Sequence, residues 1–246
     1  MTKILEITKV YNLRLDNRTD YQLRSVNFEK NPLRFSQGSV LISTGLTKVI
    51  CTATVEEKIP NFLAGTGKGW VTAEYSMLPG STSPRVPRDN QRRGRAQEIS
   101  RLIGRSLRAS IDLGGLGEVT ITIDCDVIQA DGGTRTASIT GGFVALNLAV
   151  KQMLDSGSLD VLPTITPVAA TSVGVFGDTV LVDLCYEEDS KADADFNMVM
   201  ASDGGIVEIQ GSAEGNRFSR KMVDQVLDAG VEAISTLFEL QIKALE

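Results

Sequence analysis

Twice along its length this chain passes from the period-two spacing of β-strands to the 3.6-residue spacing of helices, and such a chain has to fold as mixed β and α layers. Between Gly38 and Glu57, Val40-Leu41-Ile42 and Val49-Ile50-Cys51-Thr52-Ala53-Thr54-Val55 flank a turn at Thr44-Gly45-Leu46, the pattern of a hairpin. A loop from Gly65 leads into a short strand around Trp70 to Tyr75, and Pro79 to Arg93, rich in Pro, Ser and Arg, reads as a further loop. Helical spacing then puts Ile99, Leu102, Ile103 and Leu107 on one face and Arg101, Arg105 and Arg108 on the other. Val119, Ile121, Ile123, Cys125 and Val127 alternate as a strand, Asp131-Gly132-Gly133 makes a turn, and Thr136 to Leu154 reads as a largely buried helix.

The second half repeats the order. Val168–Val175 and Thr179–Tyr186 form a hairpin turning at Phe176-Gly177-Asp178, and a strand pair follows at Asn197–Ala201 and Ile206–Ile209. A closing amphipathic helix sets Met222, Val223, Val226, Leu227, Ile234, Leu237, Phe238 and Ile242 on its buried side. Met1 to Arg24 is mixed and polar, an arm or an edge strand. With 246 residues, the chain holds either one large α/β (α+β) domain or two fused similar halves. The expected division is a leader over 1–17 and halves over 18–160 and 161–246.

Composition removes several chemistries. There is no histidine, which excludes Ser-His-Asp triads, Cys-His dyads, His-ligated zinc and paired-histidine ribonuclease chemistry. Catalysis has to use carboxylates, arginines, hydroxyls, backbone N–H groups or metal ions. Cys51, Cys125 and Cys185 lie far apart in apolar segments, without the close pairs of a zinc site or a disulfide framework, and are expected to be reduced. Met1-Thr2-Lys3 opens a mixed-polarity segment, with no apolar stretch long enough for a signal peptide or a membrane span. A soluble, cytoplasmic protein without membrane partners is expected.

Charge is segregated. Between Pro84 and Ala109 stand Arg85, Arg88, Arg92, Arg93, Arg95, Arg101, Arg105 and Arg108 against only Asp89 and Glu98, a local balance of +6 in a chain whose formal net charge is −6. Such a chain can hold phosphates at one place and repel them elsewhere, and arginine suits forked phosphate contacts. Salt-bridged helix arginines beside a solvated loop fit the same charge count.

Two segments carry chemistry. Asp131-Gly132-Gly133-Thr134-Arg135-Thr136 links a strand to a helix, where backbone N–H groups and the helix dipole make an anion site. There Gly133 lets a phosphate approach the main chain, Thr134 donates a hydroxyl hydrogen bond and Arg135 forks onto two oxygens; Arg95, after Gly94, can supply a second guanidinium. Taken alone, the motif fits a plain turn equally well. Glu187-Glu188-Asp189-Ser190-Lys191-Ala192-Asp193-Ala194-Asp195 crowds carboxylates whose hard oxygens suit Mg²⁺ or Mn²⁺, although by composition an acidic surface loop fits better.

Several stretches occur together and in order: Gly67-Lys68-Gly69-Trp70-Val71-Thr72-Ala73-Glu74-Tyr75, Gly94-Arg95-Ala96-Gln97-Glu98-Ile99, Leu102-Ile103-Gly104-Arg105-Ser106-Leu107-Arg108-Ala109, Ile123-Asp124-Cys125-Asp126-Val127-Ile128-Gln129-Ala130 running into the Asp131 motif, Tyr186-Glu187-Glu188-Asp189, Asp195, and Glu208-Ile209-Gln210-Gly211-Ser212-Ala213-Glu214-Gly215. From about Arg18 onward the chain thereby resembles the ribonuclease PH family of phosphorolytic tRNA nucleotidyltransferases. Asn17, Ser25 and Cys185 depart from that pattern, standing where Gly, Pro and a polar or acidic residue are usual, and the leader is unusually long.

The resemblance implies a ribonuclease PH-type fold of two similar β-hairpin and helix halves in one domain. It implies a 3′→5′ exoribonuclease that trims tRNA 3′ ends with inorganic phosphate, releases nucleoside diphosphates and runs in reverse as nucleotidyl addition. Arg95, Gly133, Thr134 and Arg135 would hold the phosphate; Asp189 and Asp195 would serve catalysis and the metal, Mg²⁺ or Mn²⁺, with Arg95 also catalytic. Arg88, Arg92 and Arg93, in the basic loop, are the candidates for gripping RNA. Similar family members assemble as six-subunit rings, trimers of dimers. Two rivals stay open: a hydrolytic metal-dependent exonuclease using the same carboxylates, and a catalytically silent RNA-binding ring subunit like those of the exosome core.

Overall fold

The computed structural model describes residue 14 and residues 16–88, 94–213 and 217–246. Two sheets organise these residues. The first contains β1 (Val26–Lys30), β2 (Gly38–Thr44), β3 (Thr47–Glu56), β4 (Trp70–Met77) and β5 (Thr120–Gln129) in the order β1-β2-β3-β5-β4. The β4–β5 pair is parallel and the others antiparallel. The connection between the parallel strands carries α1 (Gly94–Arg108), which packs on β4, as parallel neighbours require a crossover. The second sheet is antiparallel, ordered β7-β6-β8-β9 from β6 (Val168–Phe176), β7 (Thr179–Val182), β8 (Ala194–Ala201) and β9 (Ile206–Ala213).

Between the sheets runs α2 (Thr134–Asp155), in contact with β2, β3 and β5 on one side and β6 on the other. Its buried residues run unbroken from Thr136 to Leu146, because a helix covered on both sides has no face left for water. The alternating burial of β5 puts Ile121, Ile123, Cys125 and Val127 inside. Against the outer side of the second sheet lies α4 (Arg220–Leu245), capped by the Ser219 hydroxyl, which accepts the Met222 N–H at 3.2 Å. Among the described residues no helix is long and apolar enough to cross a membrane.

Some expected elements change. The segment before Arg24 forms no strand among its described residues; the edge strand is β1, whose polar run Val26-Asn27-Phe28-Glu29-Lys30 is only half buried. The second hairpin is shorter than its sequence pattern: β7 stops at Val182, and Tyr186–Asp189 is a short helix, α3, so the acidic run is not a simple loop. Asp183, at φ 54°, turns the chain out of the strand. Asn17, at φ 60°, occupies the left-handed region where glycine is usual and asparagine is tolerated. On α4, Ile242 is 52% exposed; the buried stripe passes instead through Val226, Ala229, Ala233, Ile234, Leu237 and Gln241, whose small members let the helix sit close to the sheet.

Candidate active site

Strands β4 and β5 end side by side at Met77 and Gln129, and after β5 the chain turns through Asp131-Gly132-Gly133 into the N-terminus of α2. The carboxyl end of parallel strands meeting a helix start is where α/β folds bind anions. The turn needs its glycines. Gly132 and Gly133 have φ of 74° and 65°, and a Cβ on Gly132 would lie 2.5 Å from the Leu184 carbonyl oxygen and 2.7 Å from the Cys185 carbonyl carbon. That contact presses the turn against the chain leading from β7 into α3, bringing the two halves together.

A buried ion pair holds the junction. The Asp183 carboxylate accepts hydrogen bonds from the Arg24 backbone N–H at 2.8 Å, Nε at 3.1 Å and Nη2 at 2.7 Å. The same guanidinium donates to the Asp131 carbonyl at 2.6 Å. Burial is the largest single influence and works against the Arg24 cation, but the charge and hydrogen bonds of Asp183, together with the nearby Asp131 charge, more than offset it and raise its pKa. Thr47 secures the turn from below, its hydroxyl donating to the Gly132 carbonyl at 2.6 Å and accepting the Asp131 N–H at 2.9 Å. Nearby, the buried Glu188 carboxylate faces Arg14 at 3.6 Å and Arg18 at 3.3 Å. The expected leader therefore ends in a docked arginine, Arg14, whose Nη2 also donates to the Val182 carbonyl at 2.5 Å.

The resulting cleft has two adjoining chambers of about 570 and about 600 Å³. Arg95, Arg135, Asp189 and Asp195 line both; Gly133 and Thr134 line the first. All six residues expected to hold phosphate or serve catalysis thus meet in one place, from α1, the α2 start, α3 and β8. Arg88 is exposed in the loop after β4 and does not line this cleft. Arg92 and Arg93 lie outside the described residues.

Neighbouring side chains orient this set. The Tyr75 hydroxyl is 2.8 Å from Thr134 Oγ1, and burial, ahead of any neighbouring charge, pushes the Tyr75 pKa up, keeping it a neutral partner for the threonine. On β9, Glu208, Gln210 and Ser212 share one face by their period of two. Ser212 donates to Asp195 Oδ1 at 2.9 Å, and Gln210 Oε1 accepts from Arg135 at 3.2 Å while its Nε2 donates to Glu208 at 3.0 Å. A guanidinium only donates and a carboxylate only accepts, so the amide between them has one possible orientation. Glu208 is in turn paired with Arg105 at 2.6 Å.

The basic helix is accordingly less available than its arginine count suggests. Arg105 is paired, and Arg108 lies 4.2 Å over the Trp70 ring while donating to the Val71 carbonyl at 2.8 Å. The acidic run divides as well: Glu187 pairs with Lys191, Asp193 accepts the Gly177 N–H, and Glu188 is locked inside, leaving Asp189 and Asp195 at the cleft. Asp189 keeps an accessible surface, yet partial burial of its carboxyl and then repulsion from Asp195 raise its pKa, against the pull of Arg135 and Arg95. Two mutually repelling carboxylates with hard oxygens fit a divalent cation. Among the described residues no group of three or more His, Cys, Asp or Glu side chains is gathered, so an ion here would have only these two carboxylates as protein ligands. Sequence reasoning passed over Arg24, Tyr75, Asp183, Gln210 and Ser212. Tyr75, Gln210 and Ser212 lie within the stretches that carry the family resemblance, and for the last two the alternation with Gly211 was the available signal.

Comparison with known proteins identifies the family. Residues 22–152 match the RNase PH description "3′ exoribonuclease family, domain 1", and residues 166–233 match domain 2 of the same family. A ribonuclease PH of Crocosphaera subtropica is 54% identical over 94% of this chain and 97% of its own, and one of Bacillus cereus is 50% identical over 95% and 97%. Among solved structures, rice Rrp46 superposes with a TM-score of 0.77 at 18% identity, over 95% of this chain and all of its own. The Archaeoglobus fulgidus exosome with RNA bound to the active site superposes at 0.78 and 22% identity, over 93% of this chain and 92% of that one. At these identities the two structures establish the fold alone.

Proposed function

The chain belongs to the RNase PH family and is a phosphorolytic 3′→5′ exoribonuclease, and we propose that its chemistry is carried out in the two-chambered cleft by Arg95, Gly133, Thr134, Arg135, Asp189 and Asp195. The supporting observation is their meeting at the α2 N-terminus, with two guanidiniums and two carboxylates common to both chambers.

Orthophosphate is gripped by Arg95 and Arg135, receives the Thr134 hydroxyl proton as a hydrogen bond, and approaches the main chain at Gly133, where the helix dipole favours its charge. One of its oxygens attacks the last phosphodiester phosphorus, and the bond from that phosphorus to the upstream 3′ oxygen breaks. The departing 3′ oxygen takes up a proton, which one carboxyl of the Asp189–Asp195 pair is placed to pass. The terminal nucleotide leaves as a nucleoside diphosphate, and the reaction runs backward when diphosphates are abundant. A Mg²⁺ or Mn²⁺ ion on Asp189 and Asp195 would supply neutralisation of charge on the transferred phosphoryl group.

Within the same reading the substrates are tRNA 3′ ends, the working assembly is a six-copy ring built as a trimer of dimers, and Arg88, Arg92 and Arg93 grip the RNA backbone. The ribonuclease name of the curated relatives supports RNA as the substrate, and the exosome to which a structural neighbour belongs motivates an assembly of several subunits. A cytoplasmic location fits the free thiols of Cys51, Cys125 and Cys185. The test is incubation of purified protein with a 3′-extended tRNA, with and without orthophosphate. Nucleoside diphosphates released only with phosphate are expected. Nucleoside monophosphates released without it would establish hydrolysis, and no release at all would leave a silent ring subunit.

A further inference from the structure

The two chambers of the cleft differ in their walls. Beyond the shared charged residues, the chamber holding the α2 N-terminus has an apolar stretch of wall made by Met77, Pro84, Ala130 and Tyr186, beside the polar Thr82, Ser83 and Ser172. The other is walled by polar side chains, among them Glu98, Ser190, Gln210 and Ser212. Tyr186 opens α3, three residues before Asp189, yet is 66% exposed. Its backbone does not share that freedom: its N–H is held by the Asp131 carboxylate at 3.2 Å, so a largely bare aromatic ring stands on a fixed support inside a reaction cleft.

Reaction geometry assigns the chambers. In an in-line displacement the attacking and departing oxygens lie on opposite sides of the phosphorus. With orthophosphate at the α2 N-terminus, the shortened RNA departs on the far side, through the polar chamber. The product nucleoside diphosphate keeps the orthophosphate and the terminal nucleoside joined through one phosphorus and departs as one molecule, which puts the terminal base within reach of the apolar wall beside the orthophosphate.

Resting on the phosphorolytic reading of the cleft, we infer that this chamber is a nucleobase subsite, in which the Tyr186 ring stacks on the base of the 3′-terminal nucleotide and Met77, Pro84 and Ala130 complete the apolar wall. Stacking accepts any base, because every base has a π face, and an exonuclease that removes successive nucleotides needs that tolerance. The polar chamber, lacking such a ring among the described residues, holds the upstream strand by its sugar-phosphate backbone.

The subsite is tested on the full-length protein in the nucleotidyl-addition direction, with ADP and UDP as substrates, and by calorimetric titration of ADP. Tyr186→Ala is expected to raise KM for both diphosphates and the Kd for ADP by roughly ten-fold, more for ADP than for UDP. KM for orthophosphate in the forward direction stays within about two-fold of wild type, the range of mutational scatter. Tyr186→Phe, which keeps the ring and loses the hydroxyl, is expected to behave as wild type. Unchanged diphosphate affinity in Tyr186→Ala, or equal damage from Tyr186→Phe, overturns the inference. If Tyr186→Ala does not fold, Tyr186→Leu takes its place with the same expectation. Wild-type protein that degrades RNA without orthophosphate would defeat the phosphorolytic reading instead, and the ADP titration of the variants would still decide the role of Tyr186.

Discussion

Replacing Asp183 with asparagine should destabilise the protein by about 3–5 kcal/mol, the usual cost of breaking a buried ion pair from one side. Asparagine is the discriminating choice because position 183 has φ 54°, and asparagine tolerates the left-handed region where alanine would add strain. Its amide oxygen can still accept the Arg24 backbone N–H that Asp183 now holds at 2.8 Å. What is lost is the charge facing Arg24 Nη2 at 2.7 Å and Nε at 3.1 Å. The guanidinium, 4% exposed, is left with the Asp131 carbonyl at 2.6 Å as its remaining strong partner, against the cost of a buried cation. A loss of that size is about a fifth or more of the 5–15 kcal/mol that usually stabilises a folded protein. Urea unfolding at fixed protein concentration measures it, with the m-value checked for constancy. Arg24→Met combined with Asp183→Asn removes the stranded charge, so the double variant should lose less than the sum of the single losses by at least about 1 kcal/mol. Because Arg24 also holds the turn that precedes the phosphate site, KM for orthophosphate should rise in Asp183→Asn more than KM for RNA. A loss under about 1 kcal/mol, or strict additivity in the double variant, would refute the clamp.

Gly132→Ala, forced into φ 74° with its Cβ 2.5 Å from the Leu184 carbonyl oxygen, should cost about 2 kcal/mol or more and raise KM for orthophosphate; a thermal melt and phosphate kinetics check both. Gln210→Ala, removing the acceptor that orients Arg135 at 3.2 Å, should raise phosphate KM roughly five- to ten-fold, the loss of one charged hydrogen bond, with kcat and KM for RNA little changed. Because burial and Asp195 disfavour ionised Asp189, Asp189→Asn should melt above wild type in metal-free buffer while turnover falls at least about 100-fold. Adding Mg²⁺ at about 100 times its Kd should stabilise wild type by about 2.7 kcal/mol and leave Asp189→Asn nearly unmoved; differential scanning calorimetry with and without the ion measures both.

How far the sequence discloses this arrangement depends on the range of each interaction. Strand β5 was legible because its alternation of Ile121, Ile123, Cys125 and Val127 reports a half-buried surface directly. The anion motif was legible because its glycines, its threonine and the helix start are contiguous. Strand β1 was not, since an edge strand of pattern Val-Asn-Phe-Glu-Lys carries little apolar signal. Asp195 was named as a site residue, but its place on a strand was not, because it closes an acidic run, although Ala194, Phe196 and Met198 on either side alternate inward as a strand must. Charge was the least legible quantity, because a count cannot distinguish a free cation from a paired one. Arg105 and Arg108 belong to Glu208, Trp70 and the Val71 carbonyl, while Arg24, outside the basic run, reaches Asp183 159 residues away.

Those distant pairings also explain why the functional residues come from both halves of the chain. A phosphate site needs cations that hydrogen bonds orient without neutralising, and Arg135 meets that need by leaning on the uncharged oxygen of Gln210 from β9. A carboxylate in the place of Gln210 would hold Arg135 more strongly and compete with the anion it has to bind. The charge that β9 does carry, Glu208, is kept one step back and occupied by Arg105. The second sheet thus supplies Asp195 and the neutral partner that keeps Arg135 available, and the first leads into the helix start proposed to receive phosphate. Neither half holds all six residues of the proposed site, so on that reading the contact between Gly132 and Leu184 and the Arg24–Asp183 pair serve the reaction as much as the fold.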